Sequence, residues 1–148
     1  MDVALDKLDI LNLAEALRPA LLRVSRRLRQ EGQKAGISAQ DSLILAQIQK
    51  NPGIGVCDLA DAEQTSRPTM SSHVKRLEAA GFVRRSDDAE DGRRSGLAVT
   101  AAGVRRIEAI KRHRNDWLAA RLKKLSPAER EKLADAAEPL LKLASVEP

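Results

Sequence analysis

From residue 10 onward the apolar positions recur at steps of three and four: Leu13, Leu17, Leu21, Val24 and Leu28. This spacing lays one stripe along a cylinder and predicts a long amphipathic helix over 10–36. Pro19 falls inside it, where it kinks the helix or marks a late start. Ser38 is placed to cap a second helix over 39–50, with Leu45 and Ile48 inward. The run "NPGIG" stops that helix and leaves Ile54 extended. A short third helix over 56–64 turns Val56, Leu59 and Ala60 to its buried side.

The fourth helix, "TSRPTMSSHVKRLEAAG", carries the clearest boundaries. Ser66 or Thr65 is the cap, Pro68 sits in the first turn where its missing N–H costs nothing, and Gly81 ends it. The period then changes from helical to extended. "FVRRS" and "SGLAVT" read as two short strands, with Asp91-Gly92 as the turn between them. Thr100 caps a long fifth helix over about 101–124, and "SPAE" is a capping box opening a sixth helix toward Leu143. Pro139 is expected to bend that last helix.

Four helices, a hairpin and two more helices describe a mainly α fold with a small β-hairpin wing. We read one domain over 1–148: a winged helix-turn-helix core at about 38–100, held between long terminal helices at about 10–36 and 101–145. No internal repeat or low-complexity segment interrupts it.

Composition sharpens this picture in three places. Phe82 and Trp117 are the only aromatic residues, so the core is built from Leu, Ile, Val and Ala. Cys57 is the single cysteine, which excludes an internal disulfide and makes a reducing cytoplasm the default location. No apolar run approaches the ~18 residues of a membrane span, and "MDVALDKLDI" has no signal-peptide pattern, so no membrane partner is expected.

Charge is unevenly distributed. The net charge is +5, yet residues 1–65 sum to −1, residues 66–114 to +6 and residues 115–148 to zero. The whole excess lies on the fourth helix, the hairpin and the start of the fifth helix. A localised positive excess is the footprint of a polyanion-binding surface.

The fourth helix shows how such a surface would work. Met70, Val74 and Leu77 fall on one side of the wheel and pack inward. The opposite side offers Pro68, Ser72 and Lys75, flanked by Thr69, Ser71 and Arg76, with Ser66 and Arg67 at the entrance. His73 lies at the edge, touching phosphate or simply solvated. A plain amphipathic helix also has a polar face, but this one holds small hydroxyls and cations and no acid before Glu78. Small side chains allow close approach to base edges, hydroxyls bond bases or phosphates, and Arg or Lys can read guanine. Arg84 and Arg85 then leave on one strand, and Arg93 and Arg94 return on the other. An Arg at a loop tip suits the strongly negative minor groove, and Asp91 can pair with Arg93 to hold its pose.

With these residues in place, the stretch from Leu59 to Gly103 resembles the multiple antibiotic resistance regulator (MarR) family of bacterial transcription factors. The wing follows the family's D-x-x-D-x-R pattern as Asp88, Asp91 and Arg93, and runs on into Leu97, Val99, Thr100 and Gly103. The similarity extends over about residues 10–145. It implies a homodimer joined through the first, fifth and sixth helices, binding double-stranded DNA at a palindromic operator. It also implies repression relieved by a small aromatic or phenolic effector. Carried over position by position, Arg93 enters the minor groove and Asp91 braces it. The chain departs from the family at Ser72, where many members carry Arg, and at Ser42, where an aromatic is common.

Other candidates read as structural. Cys57 is expected to be a small packing residue. His73 and His113 are far apart without a carboxylate or thiol cluster, so no metal site is expected. Trp117 is expected in the core or a dimer seam rather than a ligand wall. No nucleophile–base set or phosphate loop points to an enzyme, and no cofactor is implied. The competing function is a winged-helix adaptor that docks protein and does not read DNA.

Overall fold

The computed structural model describes residues 3–86 and 96–146. Its elements are α1 (Val3–Gln33), α2 (Ala39–Lys50), α3 (Val56–Ala62), α4 (Arg67–Ala79), β1 (Val83–Ser86), β2 (Gly96–Val99), α5 (Ala101–Leu122) and α6 (Pro127–Ser145). The chain divides into two compact units, Met1–Arg114 and Asn115–Pro148.

In the first unit the core is aliphatic, as the composition requires. Ile44, Leu45 and Ile48 of α2, Leu59 and Ala60 of α3, and Met70, Val74 and Leu77 of α4 are all buried. Val83, Leu97, Ile107 and Ile110 close it from the hairpin and α5. Ser38 caps α2, its Oγ accepting from the Asp41 amide at 3.1 Å. Ser42 is buried within that helix and donates its hydroxyl to the Ser38 carbonyl at 2.9 Å.

The hairpin is antiparallel, with Val83 opposite Val99 and Ser86 opposite Gly96. Ile54 pairs with the other edge of β2 as an isolated bridge: Leu97 N–H donates to the Ile54 carbonyl at 2.9 Å, and Gly53 N–H donates to the Leu97 carbonyl at 2.8 Å. A Cβ on Gly96 would stand 2.7 Å from the Gly53 carbonyl oxygen, so only glycine allows this approach. The extended Ile54 anticipated from "NPGIG" thus covers the edge that the hairpin leaves open.

Arg106 ties α5 to the turn that follows α1. Its Nη1 donates to the Ala35 carbonyl, and its guanidinium lies 4.9 Å from the centre of the Phe82 ring. Farther along α5, Arg114 Nε donates to the Leu28 carbonyl at 3.2 Å.

In the second unit α6 is opened by the capping box anticipated at "SPAE". Ser126 Oγ accepts from the Glu129 amide at 3.2 Å, and Glu129 accepts from the Ser126 amide at 2.8 Å. Trp117 is half-buried here, with the Arg121 guanidinium 5.5 Å from its ring centre. Leu133, Leu141 and Leu143 of α6 are exposed.

Three expectations need correction. Helix α1 begins at Val3, not near residue 10, and runs through Pro19 without a break. A proline costs one bond and some crowding, which a helix this long tolerates. Helix α3 ends at Ala62, two residues early, because Gln64 turns the chain with φ of 51°. Cys57 is exposed and is not a packing residue, since α3 buries only Leu59 and Ala60.

Candidate nucleic-acid interface

The chain enters α4 through a tight turn. Thr65 N–H donates to the Ala60 carbonyl at 3.0 Å, which folds the end of α3 back against the start of α4. Ser66 is the cap: its Oγ accepts from the Thr69 amide at 3.3 Å and donates to the Thr69 hydroxyl at 2.7 Å. Gly81 leaves the helix with φ of 81°, a left-handed exit that glycine makes without strain. Cap, proline and glycine therefore fix both ends of this helix as its sequence indicated.

Burial divides α4 as the wheel requires. Met70, Val74 and Leu77 are inside, whereas Arg67, Pro68, Thr69, Ser72, Lys75 and Arg76 are exposed. Ser66 is also exposed, with its hydroxyl engaged in the cap, and Ser71 is half-buried. The outward surface is therefore a small-residue ridge flanked by Arg67, Lys75 and Arg76. Its helix N-terminus carries no acid in the first turn. Such a face can approach a polyanion closely and donate hydrogen bonds along its length.

Three residues placed at this surface have partners that spacing alone did not show. His73 is held rather than solvated: its Nδ1 lies 3.0 Å from Asp41 Oδ1 of α2. Arg76 Nη2 reaches the same oxygen at 3.2 Å. Arg85 of β1 donates its Nε–H to Glu78 of α4 at 2.8 Å, so part of its charge is spent bracing hairpin against helix. Arg84, its neighbour, is exposed. Asp91, Arg93 and Arg94, together with Asp88, lie outside the described residues. Among the described residues, no three His, Cys, Asp or Glu side chains are grouped to hold a metal ion. No described helix is long and apolar enough to cross a membrane.

Residues 37–95, which contain α2 through α4 and the hairpin loop, match the MarR family. An HTH-type transcriptional regulator of Mycobacterium tuberculosis is 32% identical over 136 residues, covering 92% of this chain and 95% of that protein. The chain belongs to the MarR family. A second M. tuberculosis relative, named an HTH-type transcriptional repressor, is 30% identical over 118 residues, covering 75% of this chain and 84% of that one. Among solved structures, a transcriptional-regulator structure from Pseudomonas aeruginosa superposes with a TM-score of 0.82 at 28% identity, covering 94% of this chain and 98% of that one. A mutant of Staphylococcus aureus MepR, bound to an oligodeoxyribonucleotide, shares the fold with a TM-score of 0.69 at 22% identity, covering 89% and 97%. The MarR-family winged helix is thus the architecture on which the α4 face is displayed.

Proposed function

We propose that the protein is a homodimeric repressor that reads a palindromic operator, with α4 in the major groove and the hairpin loop at the flanking minor groove. The observation that carries this reading is the split of α4: an apolar face locked into the core, and an exposed face of Arg67, Thr69, Ser72, Lys75 and Arg76 without an acid. The DNA-bound MepR relative supports it. A protein-docking adaptor would have little use for a surface of that charge.

Exposed apolar area supports the dimer. Ile10, Leu11, Leu13 and Leu22 of α1 are each more than half exposed, as are Leu141 and Leu143 of α6. Scattered exposed leucines are ordinary, but this density along two helices favours a partner surface. A two-fold axis would also set two copies of α4 in successive major grooves, ~34 Å apart.

Release by a small effector is the finer part of the proposal. A cleft of about 410 Å³ lies between α1 and α2, lined by Leu21, Val24, Leu28 and Leu43 with Arg29 and Arg114 at its polar side. Apolar walls beside two guanidinium groups suit an aromatic acid.

The test is to incubate the protein with fragmented genomic DNA and sequence the protected pieces. Enrichment of inverted half-sites about one helical turn apart is expected. Recovery of fragments without any common sequence would overturn the reading and favour the adaptor.

A further inference from the structure

The exposed face of α4 carries no acid before Glu78, yet one acid stands directly behind it. Asp41 lies in the first turn of α2, where its amide is bonded to Ser38 and its carboxylate adjoins the positive end of that helix. Its side chain is only 14% exposed, and it faces α4 rather than solvent. Oδ1 of Asp41 is 3.0 Å from His73 Nδ1 and 3.2 Å from Arg76 Nη2. Arg76 Nη2 and His73 Nδ1 are themselves 2.5 Å apart, so three polar atoms from two helices meet at one point. His73 and Arg76 are one turn apart on α4, and both point back to the same carboxylate.

The consequences differ for the two partners. The His73 ring is 19% exposed and is mostly used up in this contact. Arg76 is 58% exposed: one nitrogen is held from behind, while the rest of the guanidinium faces outward. A free arginine loses much rotamer freedom when it is fixed on a ligand. An arginine already anchored through one nitrogen has lost part of that freedom in the unbound protein. Its remaining N–H donors keep a set direction, and direction is what separates reading a base edge from attracting a phosphate.

We infer that Asp41 is a specificity-determining positioning residue, which aims Arg76 of the DNA-facing helix through a carboxylate shared with His73. This rests on the DNA-reading function proposed above. It assigns discrimination to a residue outside α4 that itself bears the wrong charge for touching DNA.

That wrong charge makes the inference testable. Electrostatics alone says that removing Asp41 strengthens binding to every duplex, because one negative charge near the phosphates is gone. Positioning says that binding to the selected duplex weakens while binding to other sequences does not. Asp41→Asn keeps the size and removes the charge. It should be titrated, beside the wild type, against the duplex recovered by footprinting and a shuffled duplex of equal length. We expect affinity for the selected duplex to fall roughly 5- to 100-fold, with affinity for the shuffled duplex unchanged or higher. In an Arg76→Gln background, Asp41→Asn should cause no further loss of discrimination, because nothing remains to aim.

Arg76→Lys supplies a variant that leaves Asp41 itself, and its contact with His73, in place. It keeps the charge and loses the fork, so it should lower affinity for the selected duplex and spare the shuffled one. A parallel change on both duplexes in Asp41→Asn, in either direction, would overturn the inference. So would a lower melting temperature with the ratio of affinities intact, which is the signature of a purely structural clamp. If Asp41→Asn does not fold, the Arg76→Lys ratio decides: an unchanged ratio overturns the inference. A wild-type protein that does not distinguish the two duplexes would instead overturn the function on which it rests.

Discussion

The Thr100 hydroxyl donates to the Gly81 carbonyl oxygen at 2.6 Å while accepting from the Gly103 amide at 3.1 Å. A hydroxyl is one donor and two acceptors, so a single side chain can serve both bonds. One bond caps α5, and the other holds the exit of α4. Thr100 N–H adds a third tie, to the Phe82 carbonyl at 3.0 Å. Both strands of the hairpin therefore spring from one clamped base, and their angle to α4 is set there. Thr100→Val keeps the shape and removes the hydroxyl. It should cost about 1–2 kcal/mol of stability, the range for a lost cap and a lost hydrogen bond. Urea unfolding monitored by circular dichroism measures this, and an unchanged midpoint would refute the clamp.

Gly103 is the other half of that base. A Cβ built there would run into the Phe82 carbonyl oxygen and the Val99 side chain. Backbone on one side and a strand residue on the other leave little room to yield. Gly103→Ala should therefore destabilise the fold by roughly 1–3 kcal/mol, although alanine is the better helix former. A stabilised Gly103→Ala protein, read by the same unfolding curve, would mean that α5 can slide off the hairpin freely.

How far the chain could be read in advance follows from the range of each interaction. Ser66, Pro68 and Gly81 act within one turn of themselves, so both ends of α4 are legible to within a residue. The Ser126–Glu129 box was legible for the same reason. The start of α1 is not legible in the same way, because the stripe Leu13, Leu17, Leu21, Val24 and Leu28 that marks this helix gives no boundary at Val3. A seven-residue helix buries too few positions for its periodicity to fix a face, which is why Cys57 is exposed against expectation. Asp41 was invisible as a site residue: it meets His73 and Arg76 across 32 and 35 positions, and no local pattern encodes that pairing.

The proposed dimer predicts its own disruption. Leu141 and Leu143 are 71% and 62% exposed on α6, so replacing both with Lys removes nothing from the core of a single chain. Sedimentation equilibrium should show the wild type as a dimer at micromolar concentration and the double variant as a folded monomer. The monomer should also bind a palindromic duplex much more weakly, since one half-site replaces two. A wild-type monomer that binds DNA fully would contradict the proposed assembly.

Salt should act strongly on binding. Arg67, Lys75, Arg76 and Arg84 are exposed near one surface, and a dimer doubles them, whereas Arg85 is partly neutralised by Glu78. With 6–10 phosphates neutralised per dimer, affinity should drop by roughly 10³–10⁵ between 50 and 200 mM salt. Lys75→Ala should lower the slope by about one per protomer and weaken all sequences alike. A flat salt response, measured by fluorescence anisotropy, would exclude this surface as the binding face.

The hairpin loop offers the sharpest test, because two of its residues should act as one. Arg93 and Asp91 are proposed as minor-groove reader and brace on the family pattern, and Arg93→Ala should then cost ~1–3 kcal/mol on the selected duplex. Removing Asp91 takes away a charge that repels phosphate, so a solvated loop predicts slightly tighter binding for Asp91→Ala. A brace predicts the reverse: Asp91→Ala weakens binding because Arg93 loses its fixed pose. The double variant separates the two accounts further. If Asp91 acts only through Arg93, adding Asp91→Ala to Arg93→Ala changes nothing, and the two losses are strongly non-additive. If the residues are independent, the double variant is their sum. Affinities of the four proteins for one duplex complete the cycle, and tighter binding by Asp91→Ala would remove the brace from the mechanism.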